Sequence, residues 1–234
     1  MEATTLLSKN ALLATLRDGH RTPPEGIHVV DLKTHDSVYE AGKAMDEVYF
    51  PIDSVISVVT TLLDGTAVEV GTIGSEGTTG MFSALGASTV PNATFCQVSG
   101  GAFVMSRRTF MRLLADSDTF RDALNAYTIG YLNVVAQLVA CNRIHHLDAR
   151  CARWLLMTHD RVGRDKFPLT QEFLAMMLGV RRSGVTLAAT AFADAGFIKY
   201  SRGNMVILNR AGLEKEACEC YAVTKREFTF PQAQ

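Results

Sequence analysis

Residues 171–188 read QEFLAMMLGVRRSGVTLA, a pattern of two short helices joined by a tight turn. Thr170 precedes the first helix, where its hydroxyl can accept a hydrogen bond from a free N–H of the first turn. Gly179 allows the positive φ that a tight turn between helices requires, and Ala175 is small where the helices cross. One apolar side would hold the pair at a set angle: Leu174, Leu178, Val180, Val185 and Ala188. This pattern predicts a helix-turn-helix.

The second helix of the pair begins with two arginines, Arg181 and Arg182, followed by Ser183 and Gly184. Early residues of such a helix reach base edges in a major groove, and arginine pairs with guanine through two hydrogen bonds. A helical hairpin with two solvated arginines is the alternative. The segment combines a helix cap, a small residue at the helix crossing, a glycine at the turn and a basic start to the second helix. This combination favours binding to duplex DNA.

The surrounding pattern predicts a winged form of this motif. A helix is expected over 147–161, a loop with Gly163 and Pro168, helices over 171–178 and 181–195, and a last helix beginning near Arg210. Between them, strands over 197–200 and 205–208 flank the turn 201–204. Arg202 at the tip of this wing is expected to contact phosphate.

The first hundred residues have a different sequence pattern, in which short β-branched segments are separated by turn residues. Strands are predicted over 28–32, 47–50, 54–63, 68–73 and 94–98, and Asp64-Gly65 is a strong hairpin signal. The first 18 residues look like a short amphipathic helix. The spacing is typical of an antiparallel, jelly-roll-like β-roll.

A long helix over 118–145 connects the two parts. One stripe recurs at alternating steps of three and four residues, the spacing of a coiled coil: Leu124, Tyr127, Tyr131, Val134, Leu138, Cys141 and His145. Leu132, Val135 and Val139 form a second stripe. Two apolar faces need two partners, so we predict that the first stripe is the interface of a homodimer, in which Cys141 faces its symmetry mate. A helix buried within a monomer is the alternative.

The predicted fold class is therefore α+β, with three segments. Residues 1–116 form a sensory β-roll with the N-terminal helix, 117–146 a dimerisation helix, and 147–234 a winged helix-turn-helix. The net charge is −1, but residues 1–146 carry 10 basic and 15 acidic residues against 13 and 9 in residues 147–234. The basic C-terminal part is thus the better candidate for meeting phosphate.

Composition excludes several classes of protein. With 47% apolar and 20% charged residues, the chain is not a disordered polymer. The N-terminus lacks the basic start of a secretory signal, and the longest apolar run, 127–141, is too short and too polar to cross a bilayer. Five cysteines are an odd number in a chain too long to need disulfides. We predict a cytoplasmic protein with reduced thiols and no membrane partner.

The chain resembles the bacterial transcription regulators of the Crp/Fnr family, most specifically over residues 169–198. Arg182 matches the guanine-reading arginine of the family, whereas Ser183 stands where an acidic base-reader is usual, and the basic residue a turn later is replaced around Thr186-Leu187. The resemblance implies a homodimer on an inverted-repeat operator, with RNA polymerase as a further partner. The residues predicted to contact DNA are Thr170, Gln171, Arg181, Arg182, Ser183, Gly184, Thr186 and Arg202.

The effector site is where the resemblance weakens. Cyclic-nucleotide binders of the family hold the ribose with a Gly-Glu pair and the cyclic phosphate with an Arg-Ser/Thr pair. Aligning through the Asp64-Gly65 hairpin places Met81 and Asn92 at these positions, and neither supplies the needed charge. Control by an effector other than cyclic AMP, or by none, is expected. The candidate pocket residues are Glu76, Thr78, Thr79 and Met81.

Metal and enzyme chemistry have weaker signals. Cys141, His145 and Asp148 could be metal ligands, but the first two are also stripe positions, and Cys218-x-Cys220 lacks the spacing of a zinc knuckle. No metal or other cofactor is predicted. The chain has no nucleophile elbow, P-loop or dinucleotide fingerprint. A cupin-like binding protein or metal-dependent enzyme is the alternative function, and we predict that the chain is not an enzyme.

Overall fold

The computed structural model describes residues 6–18, 24–201 and 203–228. Its helices, numbered here in chain order, are α1 Ala11–Ala14, α2 Met81–Ala84, α3 Arg107–Asp116, α4 Asp118–Ile144, α5 Leu147–Val162, α6 Gln171–Leu178, α7 Arg182–Asp194, α8 Arg210–Glu216 and α9 Cys220–Glu227. A 3₁₀ turn, Thr15–Asp18, follows α1. Helix and strand therefore share the chain, as an α+β class requires.

The strands divide between an N-terminal pair of sheets and a small C-terminal sheet. Their bounds are β1 His28–Leu32, β2 Ser37–Tyr39, β3 Glu47–Pro51, β4 Val55–Thr61, β5 Ala67–Ile73, β6 Ala93–Val98, β7 Gly100–Ser106, β8 Lys166–Pro168, β9 Ile198–Ser201 and β10 Asn204–Ile207. The N-terminal sheets have the orders β1-β7-β3 and β2-β6-β4-β5. Both pairs of the first sheet are antiparallel. The predicted antiparallel roll is confirmed.

Aromatic side chains form the centre of the roll. The rings of Phe50, Phe110 and Phe120 are fully buried, and their centroids lie 6.1–6.4 Å apart. Asn10, also fully buried, donates to the carbonyls of Pro51 and Gly77 and accepts from the first turn of α1. The N-terminal helix is thereby attached to the roll through a satisfied polar group.

Local signals located most strands of the roll, but two of the roll's strands were missed. The Asp64-Gly65 turn is a hairpin turn as predicted, with Gly65 at φ +84° and the Leu62 N–H donating to the Thr66 carbonyl. No strand was predicted at β2, which is short, or at β7. Strand β7 begins with Gly100 and Gly101, residues typical of corners, and yet it is the centre of its sheet. A Cβ on Gly100 would lie 2.6 Å from the Ser54 nitrogen, so only glycine fits there.

The C-terminal region has the predicted winged architecture. Helices α6 and α7 form the helical pair, and β9 and β10 form the hairpin of the wing. Strand β8 adds a third strand to this hairpin, pairing with β10, where the sequence analysis expected a loop. The C-terminal helix α9 was also not predicted.

The described chain divides into two compact units. Among the described residues, one unit comprises 6–18, 24–58 and 72–132, and the other comprises 59–71, 133–201 and 203–228. The hairpin of β4 and β5 and the second half of α4 therefore group with the winged helix-turn-helix. In the division predicted from the sequence, the hairpin belongs to the roll segment 1–116. All of α4 belongs to a separate dimerisation segment, 117–146.

Candidate nucleic-acid interface

The helix-turn-helix is built from local hydrogen bonds that match the predicted signals. The Thr170 hydroxyl accepts from the Phe173 N–H at 3.1 Å, which caps α6. Gly179 ends that helix in the left-handed region at φ +64°, and the Val180 N–H donates to the Ala175 carbonyl. The turn thus has the geometry that its sequence indicates.

Helix α7 has one face packed inside the domain. Val185, Ala188, Ala189 and Phe192 are buried. Gly184 belongs to this packed side, because a Cβ there would lie 2.7 Å from Cδ2 of Leu147. The residue lets α7 approach α5, and its predicted contact with DNA stays a prediction.

The opposite face of α7 is exposed at its N-terminal end. Arg181, Arg182, Ser183 and Thr186 all lie in solvent, as the prediction of base contacts requires. The Thr186 hydroxyl donates to Oε1 of Gln171 at 2.8 Å, which joins the exposed starts of both helices. Leu187 was not among the predicted site residues, although 73% of its surface is exposed between these polar neighbours. The sequence did contain a signal for Leu187, because this residue directly follows Thr186, a predicted DNA contact.

The wing lies beside the start of the helical pair. The Leu169 N–H donates to the Gly203 carbonyl at 2.9 Å, and a Cβ on Gly203 would lie 3.7 Å from Thr170. The wing tip and the cap of α6 are therefore neighbours. Arg202, predicted to contact phosphate, lies outside the described residues.

The β4–β5 hairpin contacts the helix-turn-helix within the same compact unit. Nε1 of Trp154, the chain's single tryptophan, donates to the Glu69 carboxylate at 2.8 Å. Val68, one residue away on β5, lies 3.3 Å from the position of a Cβ on Gly179. A hairpin that begins in the roll thus contacts both α5 and the turn of the DNA-binding motif.

The predicted dimer stripe of α4 is corrected by the structure. Five of its members are buried inside the chain itself: Leu124, Tyr127, Tyr131, Val134 and Cys141. Leu138 and His145 are half-buried. Cys141 contacts Cys218, with 3.5 Å between the sulfurs, and cannot face a symmetry mate. Periodicity detected an apolar stripe correctly, but it could not show that the chain's own core covers it.

A different face of α4 is exposed and apolar. Ile129, Leu132 and Val139 are 59–68% exposed, and Ala136 lies between them on the same face. These four residues, here called the outer stripe, are spaced by three, four and three positions, as in a coiled coil. By length and composition alone, helix α4 is long and apolar enough to cross a membrane. A third of the 18-residue stretch that meets this criterion is buried in the chain.

The predicted effector residues are occupied by contacts within the roll. Thr78, Thr79 and Met81 are at most 2% exposed. The Thr78 hydroxyl donates to the Tyr49 carbonyl, and the Thr79 oxygen accepts from the Tyr49 N–H and lies 2.8 Å from the Tyr39 hydroxyl. These side chains bind β3 and offer no surface to a ligand, which corrects the prediction that they line a pocket.

Glu76, the fourth predicted effector residue, is half-buried and accepts from the Gly74 N–H at 3.1 Å. Its carboxylate therefore closes a local turn.

Three cysteines and a histidine form a compact cluster beside α4. One ligand atom from each of Cys141, His145, Cys218 and Cys220 lies within 4.8 Å of the others, and Asp148 does not belong to this group. The Cys218 thiol hydrogen-bonds to Cys141, and this contact holds the pKa of the Cys141 thiol below its ordinary value. Spacing on one helix indicated only the first two members, since the other two are 77 and 79 positions further along the chain.

Comparison with known proteins agrees with this architecture. The family model of the Crp-like helix-turn-helix domain matches residues 149–216. No curated protein sequence matches the chain. A CRP-family transcriptional regulator from Thermus thermophilus has a similar structure, with a TM-score of 0.66 and 18% identity over 80% of this chain and 96% of that one.

Two further solved structures are similar. FixK2 from Bradyrhizobium japonicum gives a TM-score of 0.66 at 15% identity, over 82% of this chain and 98% of that one. The c-di-GMP-responsive regulator CLP from Xanthomonas campestris gives 0.62 at 14% identity, over 77% and 93%. Residues 149–216 are thus a Crp-like DNA-binding domain within the fold of these regulators. The similar structures confirm the predicted fold, and the match over residues 149–216 confirms the predicted Crp-like helix-turn-helix.

Proposed function

We propose that the chain binds an inverted-repeat operator as a homodimer, with helix α7 in the major groove. The observation that carries this proposal is the two-sided character of α7. Its inner face is buried in the domain, while Arg181, Arg182, Ser183 and Thr186 project into solvent at its N-terminal end. A rigid helix that presents polar side chains at this end is the form in which such motifs read base edges.

Each exposed side chain has a chemical counterpart in the groove. The forked guanidinium of Arg182 matches the O6 and N7 acceptors of guanine, and Ser183 and Thr186 can bond to several bases. Leu187 offers an apolar surface to the methyl group of thymine. We assign phosphate contacts to Thr170, Gln171 and Arg202. The net charge of +4 over residues 147–234 favours approach to the DNA backbone.

A second copy of this chain is the proposed occupant of the outer stripe. The stripe has coiled-coil spacing, and pairing it with itself gives a two-fold axis along α4. Two recognition helices related by that axis can enter successive major grooves about 34 Å apart. The symmetry of the protein would then match an operator with two inverted half-sites.

We also propose which effectors are excluded, where the protein acts and which protein it meets there. The effector is a molecule other than cyclic AMP or cyclic GMP, or the protein works without one, because Met81 and Asn92 stand where the ribose and phosphate partners would be needed. The protein acts in the cytoplasm, where RNA polymerase is its expected partner at promoters. It carries out no enzymatic turnover.

Selection of bound sites from random duplex DNA tests the proposal. The expected product is an inverted repeat whose half-sites lie about one helical turn apart. Enrichment of an unrepeated site, or of nothing, would contradict it.

The Leu132→Glu variant tests the dimer separately. Each copy would bury a charge opposite its own symmetry mate, so sedimentation should show a monomer with operator affinity reduced at least 100-fold. Leu85→Glu is the matched control, because Leu85 is 70% exposed outside the outer stripe. A dimeric Leu132→Glu protein would exclude this interface.

A further inference from the structure

The cluster of Cys141, His145, Cys218 and Cys220 is not among the residues proposed to contact DNA, and its four potential ligand atoms lie within 4.8 Å of one another. Cys141 lies near the end of α4, and His145 follows that helix by one residue. Cys218 precedes α9 and Cys220 begins it. The three thiols are buried, whereas the His145 side chain is 22% exposed. The histidine therefore gives an ion a path to the sulfurs.

Two distances within the cluster are close to those around a tetrahedral ion. Zinc bonds of ~2.3 Å to sulfur and ~2.0 Å to nitrogen place two sulfurs about 3.8 Å apart and a sulfur and a nitrogen about 3.5 Å apart. Cys141 Sγ and Cys218 Sγ are 3.5 Å apart, and Cys220 Sγ and His145 Nδ1 are also 3.5 Å apart. The cysteines of the cluster are free thiols in this structure.

Neighbouring side chains orient two of the four groups. The Glu219 carboxylate lies 3.2 Å from Nε2 of His145, where it accepts the ring proton and leaves the lone pair on Nδ1 facing Cys220. A carboxylate that holds the far nitrogen of a ligating histidine is a common feature of metal sites. The Gln137 amide donates to Cys220 Sγ at 3.0 Å and so holds that thiol in place.

The charge around the cluster also fits a bound ion. Three thiolates and one divalent ion have a net charge of −1, which must be compensated when buried. Two buried arginines, Arg150 and Arg153, are close enough to Cys141 to interact with its charge. Nε of Arg153 has no hydrogen-bond partner among the described residues. The positive charge of its guanidinium is the kind of compensation that a buried anionic site needs.

We propose that Cys141, His145, Cys218 and Cys220 bind one zinc ion in a closed, tetrahedral Cys₃His site. Thiolates and imidazole are the ligands that zinc prefers, and four protein ligands with no open position define a structural site. The ion would tie α9 to the end of α4. This departs from the prediction of no metal, since the sequence separates the two halves of the site.

The purified full-length protein provides the test. Protein prepared without chelator should contain one zinc per chain by elemental mass spectrometry. Replacing zinc with cobalt should give the intense visible bands of a tetrahedral ion and a thiolate-to-cobalt charge-transfer band. Removal of the ion by a chelator should lower the Tm by at least about 5 °C, because a metal that binds only the folded state stabilises it.

Variants identify the residues that bind the ion and provide a control for misfolding. Cys141→Ser and Cys218→Ser should lose the ion, whereas Cys96→Ser, which alters a buried cysteine of the other compact unit, should keep one zinc per chain. His145→Cys supplies a fourth thiolate, so it should retain the ion with a red-shifted cobalt spectrum. Glu219→Gln should weaken zinc binding about 10-fold or more without removing a ligand.

Three results would overturn the proposal. The first is a protein that has no zinc and binds no cobalt. The second is a preparation that holds iron with inorganic sulfide, which would make the cluster an iron–sulfur site. The third is one zinc per chain in both Cys141→Ser and Cys218→Ser, which would place the ion elsewhere.

Discussion

The helix-turn-helix and the loop 78–81 of the roll both carry hydroxyl side chains in predicted sites, but they use them in opposite ways. Ser183 and Thr186 are exposed on a helix whose other face is buried. Thr78 and Thr79 are buried, and their oxygens bond to the backbone of β3. The same chemical group serves a partner in one region and the protein's own stability in the other.

This difference has a measurable consequence. Substitutions on the exposed face of α7 should change DNA affinity and leave the free energy of unfolding unchanged. Substitutions in the roll loop should lower the free energy of unfolding and leave DNA affinity unchanged. The buried hydrogen bonds there contribute to folding and do not touch a ligand.

Arg182→Ala is the substitution with the largest expected effect. Losing a bidentate contact costs about 1–3 kcal/mol per base pair, so a dimer on two half-sites should lose about 2–6 kcal/mol, at least a 30-fold weaker operator complex. The preference for the contacted base should relax, and the free energy of unfolding should change by less than about 0.5 kcal/mol. Fluorescence anisotropy with operator variants and urea unfolding measure the two quantities.

Arg226→Ala is the matched control, because Arg226 is an exposed arginine on α9, away from the recognition helix. It should weaken operator binding less than about two-fold. An Arg182→Ala protein that selects the same motif with the same affinity would show that α7 does not read bases.

Thr79→Val is the complementary change in the roll. It removes the acceptor of the Tyr49 N–H and a partner of the Tyr39 hydroxyl, so the free energy of unfolding should fall by about 2–3 kcal/mol. Operator affinity at 25 °C should stay within two-fold, since most of the protein remains folded. Thr61→Val, at an exposed position on β4, should leave both quantities unchanged. If Thr79→Val alters DNA affinity without loss of stability, the loop has a regulatory role.

Glu69→Ala tests the hairpin contact, with a smaller expected effect. The Trp154 N–H loses its acceptor, which should cost about 1–2 kcal/mol of unfolding free energy and shift the emission of the chain's single tryptophan. Glu69→Gln keeps an acceptor oxygen and should retain the wild-type emission. Identical spectra for all three proteins would show that the contact does not form in solution.

The smallest expected effect is that of cyclic AMP, which should be none. A cyclic phosphate that enters the roll needs a guanidinium, and Asn92 stands at the aligned position. Titration calorimetry with millimolar cyclic AMP or cyclic GMP should show no saturable heat, and operator affinity should not move. Micromolar binding accompanied by tighter operator binding would contradict this, and its loss in Glu76→Gln would identify Glu76 as the ribose partner.

The sequence by itself determined the helix-turn-helix, because the signals for this motif are local. The cap at Thr170, the left-handed turn at Gly179 and the inner face of α7 depend on neighbours within a few residues. The Asp64-Gly65 hairpin is local in the same way. Strand β7 was missed because its opening glycines resemble a corner, and only its pairing with β1 and β3 makes it a strand.

Tertiary structure decided which groups are free to bind something else. Periodicity showed two apolar stripes on α4, but contacts from distant parts of the chain decide which one is buried, and they leave the outer stripe in solvent. The hydroxyls of the roll loop are likewise taken up by β3, about 30 residues away along the chain. The metal-site geometry needs Cys141 beside Cys218, which are 77 positions apart. Spacing along the chain determines only which side chains share a face of one element, whereas burial and ligand sets depend on which elements meet.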